Sequence, residues 1–417
     1  MASDDTLEVY HGDHYVGRLY DAHPLRFEYA PAWVEHPDAV SLSPLLPFEQ
    51  QVHVGDEVLA YFENLLPEGD LRHHLELRHH TTTVFGLLKA IGGDTASGFT
   101  LLPPGESLAP PTYRSISWEA LATHLRNRER GPLLSEEARI SLAGAQDKLL
   151  LMVQEDGSPA IPEGSAPSSH ILKPDIQGLR GVWATAINET FCMRLAAELG
   201  LEVAEAHYQP DTLACLVRRY DRVADEYGRL RRLHQLDFCQ LAGTPSQIKY
   251  ESDGGPGLAR CRELLQLAGA PAKDLRRLIG WLFFNLLIGN HDSHAKNLAI
   301  LYTDDGPRLA PFYDLMSTTL YSGLSRHFAF RIAGENRPGS IERSHLEALA
   351  RWMRFQPGYF LRQGVELAEC MPAAIDSTLA SLGTEAHQGT EQTLLERLQQ
   401  RLLSNCRKMP ERWTASR

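Results

Sequence analysis

The chain has no CxxC pair, and its six cysteines, Cys192, Cys215, Cys239, Cys261, Cys370 and Cys406, never come closer together than the 22 positions between Cys239 and Cys261. Such spacing argues against both a disulfide framework and a zinc site, and predicts reduced cysteines in a core. Long hydrophobic runs are missing too. The longest, Leu278 to Gly289, is interrupted by Asn285 and falls well short of the roughly 20 residues that cross a bilayer. It reads as a buried helix, with no membrane involved. The first residues, Met1, Ala2, Ser3, Asp4 and Asp5, offer neither the basic start nor the apolar segment of a secretion signal, so a cytoplasmic location is expected. Positive charge is in deficit: 41 Lys and Arg against 53 Asp and Glu leave a net charge of -12. That balance opposes unaided binding to a polyanion, despite the local basic stretch Arg218 to Arg232. No helix-turn-helix segment, internal repeat, heptad array or GxxxxGK[ST] loop occurs, so operator binding by this chain alone and a Walker-type nucleotide site are both unsupported.

What is present is an ordinary globular composition, 43% hydrophobic and 23% charged, in 417 residues, long enough for two or three domains. From Leu7 to Tyr20 the pattern alternates and is punctuated by glycine, as in a small sheet. Pro67 to His80 and Thr83 to Ile91 read as helices, and the proline-rich stretch Leu102 to Pro111 as a linker. Ile116 to Arg128 is an amphipathic helix with Ser117 as its N-cap. There follow Ala138 to Leu142, a small-residue loop Ala143 to Gln146, the run Lys148 to Val153, a turn at Asp156-Gly157 and a strand Ser169 to Lys173, the succession of an antiparallel sheet. Ala184 to Leu199 reads as a helix and Ala214 to Tyr220 as a strand. Past Asp221 the periodic segments are mostly helical: Leu258 to Ala268, Lys273 to Gly289, Ser344 to Trp352, Pro357 to Ala368 and Glu391 to Ser404. The expected divisions are 1–110, 111–221 and 222–417.

Polar chemistry follows the apolar helix at once, in Asn290, His291, Asp292, Ser293, His294, Ala295, Lys296 and Asn297. A phosphotransferase catalytic loop needs a carboxylate at the acceptor hydroxyl and, five residues on, an oxygen donor for the metal that holds the phosphates; Asp292 and Asn297 have that spacing. Leu309 to Tyr313 reads as a strand delivering Asp314, a second oxygen ligand suited to Mg2+. Upstream, Ser141 to Lys148 forms a loop between strands, and Lys173 lies on the next strand, in the order of a phosphate loop and its lysine. The structural alternative is that Asp292 caps a helix end, Asp314 opens a turn, Ala143 to Gln146 is a hairpin turn and Lys173 is a solvated strand lysine.

Four segments, Ser141-Leu-Ala-Gly-Ala-Gln-Asp-Lys148, His170-Ile-Leu-Lys173, Asn290-His-Asp-Ser-His-Ala-Lys-Asn297 and Pro311-Phe-Tyr-Asp314, resemble the HipA kinases. So do Phe62-Glu-Asn-Leu-Leu-Pro-Glu-Gly69, Asn188-Glu189 and His234-Gln-Leu-Asp-Phe-Cys239, which extends the resemblance over essentially the whole chain. It implies an α+β, two-lobed protein-kinase-like fold: an N-terminal α/β subdomain (1–110), a small lobe with the phosphate loop (111–221) and a helical catalytic lobe (222–417). The implied activity is a Mg-ATP-dependent serine/threonine kinase toxin of a toxin-antitoxin pair. Its substrate would be a cellular protein, with an aminoacyl-tRNA synthetase as one class, and its partner an HTH antitoxin of HipB type, through which alone DNA would be reached.

By the same resemblance Asp292 is the base, Asn297 and Asp314 hold Mg2+, and Ala143, Gly144, Ala145, Gln146 and Lys173 contact ATP phosphates. Val217 to Tyr220 receive the adenine, His294 and Lys296 add nucleotide contacts, and Ser141 is the autophosphorylation site that switches the kinase off. Glu189 is a candidate partner for Lys173. One departure stands out: the family usually has an acidic hinge residue where this chain has Arg218 beside Arg219. The pairs His73-His74 and His79-His80 point different ways around a helix and read as exposed side chains rather than metal ligands. Asp253 to Gly257 reads as a flexible connection. A small-molecule or lipid kinase with the same apparatus, and a non-catalytic module that kept the fold, remain as other readings.

Overall fold

The computed structural model describes residues 5–106, 108, 110–127, 148–383, 385 and 389–415. Ser141, Ala143, Gly144, Ala145 and Gln146, and the strand expected over Ala138 to Leu142, lie outside the described residues. The chain divides into two compact units interleaved in sequence: residues 1–171, 219–248 and 299–307 form the first, and 172–218, 249–298 and 308–417 the second.

In the first unit the alternating N-terminal pattern folds as expected. Strands Thr6–His11 and His14–Tyr20 pair antiparallel, and Arg26–Tyr29, Val52–Val54 and Phe99–Leu102 complete a five-stranded sheet with Thr6–His11 between His14–Tyr20 and Phe99–Leu102. One face carries Leu7, Val9, Leu19 and Phe27, all fully buried. This is the period-2 consequence of placing apolar residues at alternate positions. Helices Asp56–Glu63, Gly69–Arg78 and Val84–Ile91 accompany the sheet, the last capped by the Thr83 hydroxyl, which accepts from the Gly86 amide. Ser117 caps Trp118–Asn127 as expected, accepting from the Ala120 amide at 3.1 Å. Strand Pro159–Glu163 pairs with both Thr112–Ser115 and Leu149–Val153.

A buried ion network is the electrostatic centre of this unit. Asp94, fully buried, receives Arg222 at 2.7 Å, Arg232 at 3.3 Å and Arg219 at 3.4 Å, while Asp221 binds Arg219 at 2.7 Å and Arg222 at 2.6 Å. Burial alone would raise the Asp94 pKa; Arg222, Arg219 and Arg232 outweigh it and hold the carboxyl well below the usual range. The segment Glu63-Asn64 also reaches far along the chain: Glu63 accepts from the Ser246 amide and hydroxyl at 2.9 and 2.6 Å, and Asn64 donates to the Thr244 carbonyl at 2.9 Å.

In the second unit the hairpin Ala206–Gln209 and Ala214–Arg218 packs against helix Thr185–Glu198. Helix Ala272–Ile288, nearly all of its second half buried, lies against Leu258–Leu267, Pro357–Leu382 and Gly389–Thr414. Phe283 meets Phe360 and Trp413 at ring-centroid distances of 5.2 Å each. Two expectations are corrected. The helices begun at Pro357 and near Glu391 do not stop at Ala368 and Ser404 but run 26 residues each, through Pro372 and Pro410. Packing on both neighbours outweighs the hydrogen bond that an interior proline forfeits. The strand expected over Leu309 to Tyr313 ends at Leu309, and only a parallel bridge from Phe312 to Val203 continues the extended course toward Asp314.

Candidate active site

Lys173, Glu189, Asp292, His294, Asn297 and Asp314 all belong to the second unit. Helix Ala272–Ile288 ends at Gly289, whose φ of +67° is the left-handed conformation that lets the chain turn sharply. A side chain there would also collide, since an added Cβ would lie 2.5 Å from Thr319 Cγ2. The next residues are fixed by side-chain hydrogen bonds: the Asn290 side-chain amide donates to Asn285 Oδ1 at 2.8 Å, the His291 backbone amide to Thr318 Oγ1 at 2.9 Å, and the Asp292 backbone amide to Asn290 Oδ1 at 3.2 Å. Asp292 is thereby presented to solvent, while Ser293 to Asn297 are buried around the short turn Ala295–Asn297.

Lys173, at the end of strand His170–Pro174, has two carboxylate partners. Its ammonium donates to Glu189 Oε1 at 2.6 Å and to Asp314 Oδ1 at 2.9 Å, with only 11% of the side chain exposed. Burial works against the lysine charge, but Asp314 and Glu189 more than offset it, so the pKa is raised. Glu189 projects from helix Thr185–Glu198. Its neighbour Asn188 donates to the Ser317 carbonyl at 2.9 Å and accepts from the Ser317 amide at 3.1 Å, which pins the chain just past Asp314. Asp314 itself has φ +59°, a left-handed conformation that Asp tolerates better than most side chains.

The second Asp314 oxygen accepts from the Asn297 amide at 3.2 Å, and the carboxylate is 44% exposed. Carboxylate and amide oxygens, without sulfur or imidazole, are the donor set of a hard cation, and two such donors are the usual protein share of a Mg2+ site that phosphates complete. Among the described residues no group of three or more His, Cys, Asp or Glu side chains is placed to hold a metal by itself.

His294 is buried, and its Nδ1 has no hydrogen-bond partner. Burial first, then Lys249, lowers its pKa to about 3, so the ring is neutral. Lys296 is buried, and its carbonyl accepts from the Tyr313 hydroxyl at 2.6 Å. Of the expected adenine segment, Val217 is buried in the hairpin opposite Ala206, and exposed Arg218 pairs with Glu205 at 3.4 Å. Tyr220, in the first unit, donates to Gln235 at 2.8 Å, and Arg219 belongs to the Asp94 network. The structure therefore brings Lys173, Glu189, Asn297 and Asp314 into one bonded set.

One contact had no signal in the sequence. Tyr250, on the segment preceding the turn Glu251–Asp253, donates its hydroxyl to Asp292 Oδ1 at 2.5 Å. A lone tyrosine 42 positions from its partner follows no motif or periodicity.

Two family models match the chain: a HipA N-terminal domain over residues 7–98 and a HipA-like C-terminal domain over residues 140–380. Among curated relatives, a protein of Sinorhizobium fredii named as a candidate kinase, Y4mE, is 39% identical over 78% of this chain and 80% of its own length. The serine/threonine-protein kinase toxin HipA of Shewanella oneidensis is 30% identical over 90% of both chains. A solved structure of Shewanella oneidensis HipA with HipB and operator DNA superposes with a TM-score of 0.86 at 27% identity, covering 99% of this chain and 100% of that one. The α+β fold expected from the sequence is thus that of HipA, and the chain belongs to the HipA family.

Proposed function

We propose that this chain is the serine/threonine kinase toxin of a toxin-antitoxin pair and transfers the γ-phosphoryl group of Mg-ATP to a cellular protein. The observation that carries this reading is the Lys173 ammonium bonded at once to Glu189 and Asp314, with Asn297 on the second Asp314 oxygen. Electrostatic positioning of that kind is what phosphoryl transfer asks of a protein. Lys173, oriented by Glu189, turns to the ATP phosphates. Asp314 and the amide oxygen of Asn297 hold Mg2+, which when bound neutralises charge on the β- and γ-phosphates. Asp292 takes the proton of the acceptor hydroxyl as that oxygen bonds to phosphorus and the bond to ADP breaks. Val217 to Tyr220 receive the adenine, and His294, neutral with an open Nδ1, and Lys296 add nucleotide contacts. Ala143 to Gln146 cover the phosphates.

Ser141 is the autophosphorylation site of this reading; a phosphate there adds nearly two negative charges beside the triphosphate and disfavours nucleotide. An HTH antitoxin of HipB type is the partner, DNA is reached through it, and an aminoacyl-tRNA synthetase is one substrate class. The chain acts in the cytoplasm. The test is to add the purified chain, γ-labelled ATP and Mg2+ to a cell extract beside the Asp292→Asn variant. Label on serine or threonine of a discrete protein supports the reading, whereas label confined to small molecules or lipids sinks it.

A further inference from the structure

In a kinase the catalytic carboxylate accepts a hydrogen bond from the acceptor hydroxyl, which must lie within direct reach of it. Here that bond is already made by the chain itself, from Tyr250 Oη to Asp292 Oδ1 at 2.5 Å. The phenol is held in place from several sides. Its ring meets His294 edge-on with centroids 5.1 Å apart, and the Lys249 ammonium lies 5.6 Å from the ring centroid. The Tyr250 carbonyl accepts from the Gly255 amide at 2.9 Å, and the following turn is tied down where Glu251 Oε2 accepts from the Arg331 amide at 2.7 Å.

Asp292 is an exposed residue, and an exposed base beside bound ATP would accept a proton from water as readily as from a protein hydroxyl. Hydrolysis would then waste the nucleotide: the water oxygen bonds to the γ-phosphorus, the bond to ADP breaks, and the water proton passes to Asp292. Resting on the kinase reading above, we propose that Tyr250 is the residue that discriminates acceptor against water. Its hydroxyl occupies the acceptor position on Asp292 until a bound acceptor, whose further contacts supply the free energy, displaces it. Water, arriving alone, has nothing with which to displace a hydrogen bond to a charged group.

The experiment measures the initial rate of inorganic phosphate release by the full chain with Mg-ATP and no protein acceptor, so that only transfer to water is read and any phosphoryl group passed to Ser141 stays on the chain. Tyr250→Phe keeps the ring against His294 and removes the hydroxyl. It is expected to raise the rate about tenfold, the scale of a hydrogen bond to an ionised group, with the KM for ATP unchanged. Tyr250→Ala removes the ring as well and is expected to raise the rate at least as far. A merely structural tyrosine would give a fall in kcat or a shift in KM. Rates in both variants equal to or below the wild type overturn the proposal. If neither variant exceeds Asp292→Asn the proposal fails, whereas the kinase reading falls only if the wild type also labels no protein in the cell extract.

Discussion

Replacing Glu189 with Gln tests the set of bonds on which the functional reading stands. The substitution keeps the shape of the side chain and removes one of the two carboxylates that the Lys173 ammonium contacts, at 2.6 Å for Glu189 and 2.9 Å for Asp314. Only 11% of the lysine and 3% of the glutamate side chain is exposed, so solvent screens the pair little. Outright rupture of a buried pair costs about 3–5 kcal/mol. Because Asp314 still partners Lys173, the smaller value of a single charge-assisted hydrogen bond applies, about 2 kcal/mol. In a unit of this size that lowers Tm by roughly 4–8 °C. Without Glu189 the ammonium settles on Asp314 alone, away from the nucleotide, and ATP affinity falls by up to roughly thirtyfold if the whole amount is felt in binding. Calorimetric melting and isothermal titration with ATP read the two effects separately. Glu347→Gln, which breaks an exposed pair with Arg343, serves as the control and should move neither. An ATP dissociation constant within twofold of wild type, with an unshifted Tm, would refute the argument.

Asp292→Asn should cut phosphoryl transfer by about 10²–10⁴, the range of general base catalysis, while Tm and ATP binding stay put; wild-type-like labelling removes Asp292 from the mechanism. Asp314→Ala should abolish transfer and also Mg2+-dependent tightening of ATP, and tightening that survives would exclude it as a metal ligand. Asp94 has a folded-state pKa below its unfolded value, so its contribution to stability is complete above about pH 4 and is lost progressively as pH drops from there through the depressed folded-state value. Asp94→Asn should therefore be less stable than wild type at neutral pH by about 3–5 kcal/mol and lose the acid-side slope; parallel pH profiles of unfolding would contradict the network. Prolonged incubation with Mg-ATP should place phosphate on Ser141 and weaken ATP binding, as mass spectrometry and titration can check, and phosphate found only elsewhere rejects that switch.

Much of the site was legible because its residues sit at element ends. Gly289 closes an apolar helix, and the polar segment Asn290 to Asn297 follows at once; the spacing of Asp292 and Asn297 within it is local and survives folding unchanged. Glu189 was legible as a partner of Lys173 only through the family resemblance, for strand and helix positions 16 residues apart do not reveal their distance in space. Contacts with no local pattern stayed hidden. Tyr250 reaches Asp292, and Asp94 gathers Arg219, Arg222 and Arg232, across separations of 42 to 138 positions. The early end of the strand at Leu309 was hidden for another reason: Leu309 to Tyr313 has strand composition, but Arg277 donates to the carbonyls of Leu309 and Ala310, satisfying them with a side chain instead of a neighbouring strand.

The interleaving of the two units dictates an order of events on the ribosome. Asp94 leaves the exit tunnel long before the arginines that neutralise it, the last of them 138 positions later, and the first unit cannot close until residue 307 has emerged. Lys173 likewise waits 141 positions for Asp314, and the second unit draws on the chain to its end. At about 5–20 residues per second that interval alone lasts on the order of 10 seconds. A nascent chain or fragment that stops short of Asp314 therefore lacks the bonded set of Lys173, Glu189, Asn297 and Asp314.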